Sequence, residues 1–163
     1  MQKKINLSCR LYLLVLSLVM LGADQWTKAF VRGNLAEFAV KPFLPFWNWT
    51  LVYNQGAAFS FLANQGGWQK LFFGAIAMAV SIGIIYYLLA KTYKLVVGVA
   101  FSLILSGAVG NLVDRILHGK VTDFIDWYVG VNHWPAFNVA DSCITVGVTL
   151  LIIDGLFFNK SKQ

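Results

Sequence analysis

The sequence predicts an all-α integral membrane protein with four transmembrane helices and a small extracytoplasmic β-sheet element. Three observations carry this reading. The chain is 58% hydrophobic, with a mean hydropathy of +0.67. Charged residues make up only 12%, about half the share found in soluble domains. Apolar runs of roughly 20 residues, the length that crosses a bilayer, occur in four places. One integral membrane domain over residues 1–163 accounts for the whole length. The net charge of +6 does not signal nucleic acid, because no basic face or arm is present. The lysines stand mostly at the ends of apolar runs, which is a topology signal. Cys9 and Cys143 form no ligand or disulfide framework and read as free thiols.

The first span is expected from about Leu11 to Val31, behind a short basic start with Lys3, Lys4 and Arg10. That start resembles a secretory signal, but no small-residue cleavage motif follows it. Asp24 and Lys28 lie four apart in the last third of the span and share a helix face. Residues 32–67 hold no span. There Trp47, Trp49 and Tyr53 alternate with polar residues, which predicts a strand from about Phe46 to Tyr53. Asn54-Gln55-Gly56 reads as a turn and Ala57–Phe61 as a returning strand. Tryptophan and tyrosine favour the membrane–water boundary, so this sheet is expected against the membrane surface.

Trp68 to Leu89 is the second span, and Lys91-Thr92-Tyr93-Lys94 is a tight polar connection. The third span runs from Leu95 to about Leu117. Its Gly107, Asn111 and Asp114 are spaced to share one face, which must look into the bundle because lipid cannot satisfy it. His118–Asn138 reads as a polar connection with aromatic anchors, and Val139–Phe158 as the fourth span, with Asp141 near its start.

Four spans put both termini and the Lys91–Lys94 turn on one side, with Lys3, Lys4, Arg10, Lys91, Lys94, Lys160 and Lys162. By the excess of positive charge on cytoplasmic segments, that side is inside. Asp24, Asn54, Asn111, Asp114, Arg115, Asp123, Asn138 and Asp141 then converge at the outer edge. Ionisable residues at such depth are expensive and mark function.

The chemistry open to this cluster is narrow. A Ser142–Lys28 dyad has little support. His118 and His133 with Asp123 or Asp126 lack metal-site spacing and a third ligand, so no metal and no cofactor is expected. Two carboxylates held close cannot both ionise cheaply, so they share a proton. One then activates water while the other supplies a proton. Spacing leaves the choice of partners open, with Asp123 and Asp141 the natural pair because each stands beside a helix end. Other readings are a small lipid-binding or transport protein, for which an inverted repeat is missing, and a structural membrane subunit.

Five ordered motifs in this chain resemble those of the bacterial lipoprotein signal peptidase family (signal peptidase II). They are Asp24-Gln25-Trp26-Thr27-Lys28, Asn54-Gln55-Gly56-Ala57-Ala58-Phe59, Gly107 to Arg115, Val121-Thr122-Asp123-Phe124, and Phe137-Asn138-Val139-Ala140-Asp141. Ser106 stands where the family's third motif often has a further glycine. The resemblance implies a four-helix aspartyl protease of the inner membrane with a small periplasmic sheet. It implies cleavage of prolipoproteins before a diacylglyceryl-modified cysteine, within membrane lipid, and inhibition by globomycin. By motif, it makes Asp123 and Asp141 catalytic. Asn54, Asn111, Arg115 and Asn138 would orient substrate or shape the site. Asp24 and Lys28 match the first-helix pair, Asp114 a supporting position, and the two histidines are not ligands.

Overall fold

Asn6 starts the first helix by accepting a hydrogen bond from the Cys9 N–H at 2.9 Å, an N-cap. From there the computed structural model, which describes residues 6–56 and 68–157, runs α1 (Leu7–Asn34), β1 (Val40–Leu44), β2 (Trp47–Asn54), α2 (Gln69–Ala90), α3 (Leu95–His118), β3 (Val121–Val129), β4 (Asn132–His133) and α4 (Val139–Phe157). All four helices are long and apolar enough to cross a membrane, and the chain is a multi-pass membrane protein. The returning strand expected at Ala57–Phe61 lies outside the described residues.

The third helix is central. The other three lean on it, and its small residues allow close approach. A Cβ added to Gly107 would stand 2.3 Å from the Ala140 carbonyl oxygen, and one added to Gly147 would stand 2.6 Å from that of Ala100. No larger residue fits at either crossing. At one end of the bundle Leu13, Ile84, Leu88, Tyr93 and Leu105 form an apolar core. There the Arg10 guanidinium reaches the open carbonyls at the end of α2. It donates to Leu88 at 2.6 Å, to Leu89, and to Lys91 at 2.7 Å, a favourable place for a cation. At the other end Val31, Leu51 and Phe124 join α1 to the sheet.

The sheet is antiparallel in the order β1-β2-β3-β4. Gly119 ends α3 at φ 71°, a left-handed position that suits glycine, so the chain turns from a span into β3 within a few residues. Phe124 and Ile125 also exchange backbone bonds with Phe137, which leads the chain from the sheet into α4. This corrects the expectation of a polar connection over His118–Asn138. Most of that segment is a strand and its hairpin partner. Its first half is buried on both faces, so it shows no apolar–polar alternation. Trp47, Trp49, Phe43 and Phe124 form one aromatic group with neighbouring centroids 4.9–5.8 Å apart. Every residue of edge strand β1 is exposed.

Candidate active site

The polar cluster gathers where α1, α3 and the start of α4 meet β2 and β3. It begins with Lys28, which is wholly buried in α1. Its ammonium lies 2.9 Å from Asp24 and 3.5 Å from Asp114, and donates to Asn111 Oδ1 at 3.0 Å. A buried charge persists only when paired and hydrogen-bonded, and here two carboxylates and an amide surround it. Asp24 also accepts from the Ala140 N–H at 2.8 Å, which fixes the first turn of α4 against α1. Lys28 is thus committed, and Ser142 donates to the Asn138 carbonyl at 3.0 Å. A serine–lysine dyad does not form.

Asp141 occupies the third position of α4, and Asn138 is its cap. The Asp141 N–H donates to Asn138 Oδ1 at 2.9 Å, and the Asn138 N–H donates to Asp141 Oδ2 at 3.2 Å. This is a reciprocal capping box, with Asn and Asp in place of the usual Ser or Thr and Glu or Gln. The other Asp141 oxygen accepts from Asn111 Nδ2 at 2.8 Å.

Asp123 is the third residue of β3, five positions past the end of α3, so it stands beside a helix end as expected but on a strand. Only 3% of it is exposed. It accepts from Asn138 Nδ2 at 2.7 Å and from Asn54 Nδ2 at 3.2 Å. Asn138 therefore touches both carboxyl groups, the Asp123 side chain through its own amide and Asp141 through its backbone N–H. Burial, and then the facing charge of Asp141, push the Asp123 carboxyl from 3.8 up to about 7.

Asn54 is locked in turn because its Oδ1 accepts from the Gly56 N–H at 2.9 Å, an Asx turn. Arg115 bridges to the same turn, donating to the Gly56 carbonyl at 3.0 Å and to the Asn111 carbonyl at 3.2 Å. Asp114, one residue earlier, points elsewhere and accepts from the Thr122 N–H at 2.8 Å. The nine residues singled out in the sequence thus lie in one connected network.

Sequence reasoning missed other members. Arg32 donates to Thr122 Oγ1 at 2.9 Å. Its spacing carried the signal, since Asp24, Lys28 and Arg32 recur every four residues on one face of α1. On the far part of the sheet, buried Asp126 accepts from Asn48 at 2.8 Å and pairs with His133 at 2.7 Å. Among the described residues, no group of three or more His, Cys, Asp or Glu side chains is arranged to hold a metal ion.

A buried carboxyl group, Asp123, and a half-buried one, Asp141, both held by Asn138 at the end of a bundle of apolar helices, form an arrangement that suits a membrane-embedded aspartic endopeptidase. The sequence profile of the family described as "Signal peptidase (SPase) II" matches residues 16–157. The chain is 44% identical to a "Lipoprotein signal peptidase" of Xanthomonas oryzae pv. oryzae, over 100% of this chain and 99% of that protein. It is 51% identical to one from Acinetobacter baumannii, over 90% of this chain and 84% of that protein. A solved structure titled "Bacterial membrane enzyme structure by the in meso method at 2.3 A resolution" superposes with a TM-score of 0.83 at 33% identity, covering 100% of this chain and 98% of that one. The chain belongs to the signal peptidase II family, and it is an aspartic endopeptidase that acts on signal peptides.

Proposed function

We propose that this endopeptidase removes the signal peptide of prolipoproteins by cutting before a diacylglyceryl-modified cysteine, with Asp123 and Asp141 as its catalytic pair. The observation that carries the pair is Asn138, which donates to both carboxyl groups. The substrate rests on the family motifs and on the names of the relatives. Asp123, raised to about 7, holds a proton at and below neutrality and gives it to the scissile carbonyl oxygen. Asp141 takes a proton from the attacking water as the new C–O bond forms. In the second step the C–N bond breaks, Asp141 passes its proton to the departing amine, and Asp123 recovers one from the diol. General acid and base catalysis together fit a pair placed on either side of the bond.

The remaining residues support these two. Asn54, Asn111 and Asn138 fix the orientation of the carboxyl groups. Arg115 holds the turn over the site. Asp24, Lys28 and Asp114 tie α1, α3 and α4 together beneath it. The basic residues at the termini and at the Lys91–Lys94 turn favour a cytoplasmic location for that end and an outer location for the site in a bacterial inner membrane. Exposed aromatic and apolar residues on β1 and beside it, including Phe43, Leu44 and Phe46, suit a substrate that stays in lipid. Globomycin, a cyclic peptide that the motif resemblance implicates, would compete at the same carboxyl groups.

The test is cleavage of lipid-modified precursor by purified protein in detergent, with and without chelator. Asp123→Asn and Asp141→Asn should each lose about 100- to 10,000-fold, the double variant little more, and chelator should change nothing. Robust cleavage by either single variant would remove the pair from the mechanism. Equal cleavage of the unlipidated precursor would remove the diacylglyceryl requirement.

A further inference from the structure

Thr122, the neighbour of Asp123, has each of its polar groups held by a different part of the molecule. Its N–H donates to Asp114 Oδ2 on α3 at 2.8 Å. Its hydroxyl accepts from Arg32 Nη1 on α1 at 2.9 Å. Its carbonyl accepts from Asn138 Nδ2, at the cap of α4, at 3.3 Å. Thr122 is fully buried. Arg32, in the last turn of α1, keeps 22% of its side chain exposed and places Nη1 3.6 Å from Asp114 Oδ1. That oxygen has no hydrogen bond among the described residues, so Arg32 is the charge that faces it.

Two of these contacts have evident structural uses. The Thr122 N–H is buried and must find an acceptor, and Asn138 already serves Asp123 from the same amide. The hydroxyl contact is different. No backbone group depends on it, and Arg32 stands close enough to solvent to satisfy itself with water. What the contact does is connect the outer end of α1 to the residue whose backbone carries Asp123. Any slip of Thr122 also moves the carbonyl that shares Asn138 Nδ2 with Asp123 Oδ1.

We propose that Arg32 and Thr122 are positioning residues for the cleavage reaction. Acting as a pair, they set the strand so that the Asp123 carboxyl meets Asp141 across Asn138. The inference rests on the assignment of Asp123 and Asp141 as the catalytic pair. It concerns geometry and not charge, so it can be separated from the part Arg32 plays in balancing Asp114.

Thr122→Val keeps the shape of the residue and the Arg32 charge and removes only the hydroxyl. Thr122→Ser keeps the hydroxyl, and Arg32→Gln removes both the donor to Thr122 and the charge facing Asp114. The experiment measures kcat and KM for a lipid-modified precursor with the full chain in detergent, and thermal unfolding of the same samples. Misplacing a reacting group by about 1 Å can cost 100-fold, and a partial loosening is expected to cost about tenfold. Thr122→Val and Arg32→Gln should each lower kcat about tenfold with KM within about twofold and with a folded, cooperatively unfolding protein. Thr122→Ser should restore the rate. The double variant should be no worse than Arg32→Gln alone, because the contact with the Thr122 hydroxyl is already lost in that variant. Wild-type kcat in Thr122→Val overturns the inference. So do a serine variant as slow as the valine one, a double loss equal to the product of the two single losses, and a rate loss matched by lost folded protein. Asp123→Asn is assayed alongside. If it still cleaves, the catalytic pair itself is wrong; if it is inactive while Thr122→Val is normal, only the positioning role fails.

Discussion

Asp123→Asn should unfold at a higher temperature relative to wild type at pH 8 than at pH 5, although it is inactive at both. The wild-type carboxyl titrates near 3.8 when exposed and near 7 in the fold. The folded state therefore binds this proton more tightly than the unfolded state. Below 3.8 the carboxyl is protonated in both states and withholds nothing. Between 3.8 and about 7 its burial costs progressively more stability as pH rises, and above about 7 the cost is constant. At about 1.4 kcal/mol per pKa unit, the full interval is worth roughly 4 kcal/mol at pH 8 and about 1.6 kcal/mol at pH 5. Asparagine does not titrate and escapes this cost. It brings another, because the amides of Asn54 and Asn138 both point at the carboxyl oxygens and one of them must meet the new NH₂ group. Neither can turn away, since Asn54 Oδ1 is held by Gly56 and Asn138 Oδ1 by Asp141. That penalty, about 1–3 kcal/mol, is the same at both pH values and cancels in the comparison. The remaining difference of about 2.5 kcal/mol corresponds to roughly 5–10 °C in the relative unfolding temperature of a chain this size. Thermal unfolding of both proteins in one detergent at the two pH values measures it. An equal difference at both, or a larger one at pH 5, would refute the raised carboxyl and with it the proton donor.

Two other substitutions test the frame around the site. Gly107→Ala puts a methyl group where the Ala140 carbonyl oxygen stands 2.3 Å away; overpacking of this kind costs about 1–3 kcal/mol, and the displaced turn carries Asp141, so both unfolding temperature and cleavage rate should fall. Wild-type values for both would mean that α3 and α4 do not cross so closely. Lys28→Met leaves Asp24 and Asp114 buried without their shared cation and should cost about 3–5 kcal/mol; Asp24→Asn in the same chain should recover part of it. A loss under about 1 kcal/mol in denaturant unfolding would show that this charge is not needed to hold the helices together.

The four spans were legible because hydropathy over about 20 residues is a strong, local signal. The first helix runs a few residues beyond the expected Leu11–Val31 at each end, to Leu7 and Asn34, since polar residues at helix ends are not penalised outside the apolar layer. Strand β2 was legible from its alternating tryptophans. Strand β1 was not, because Val-Lys-Pro-Phe-Leu contains a proline that only an edge strand accepts, and it is fully exposed. Strand β3 was hidden by burial on both faces and by two aspartates, which read as loop. The nine residues of the polar network were legible by type and motif, but their partners were not. That Asp114 would face Thr122, and Arg115 the turn at Gly56, depends on how α3 is rotated against the sheet. Asp126 and His133 read only as candidate metal ligands in an outer connection; the Asn48 and His133 contacts that hold Asp126 come from strand register. The Asn138–Asp141 capping box was readable from Asn-Val-Ala-Asp alone.

That box separates the two carboxyl groups in the history of the chain. Asp141 takes the hold on one oxygen from a residue three positions away, which is available as soon as the first turn of α4 forms, and needs only α3 for the other, from Asn111. Asp123 depends on contacts from α1, α3, β2 and the α4 cap, which lie up to about 90 residues off in sequence. Local contacts form early and distant ones late. On the proposed assignment, a newly inserted chain would have the Asp141 cap in place before the partners of Asp123 have gathered. With Asp123 and Asp141 as the proposed pair, such a chain would not hydrolyse a peptide, its own or a neighbour's exposed segments included, until the sheet has docked.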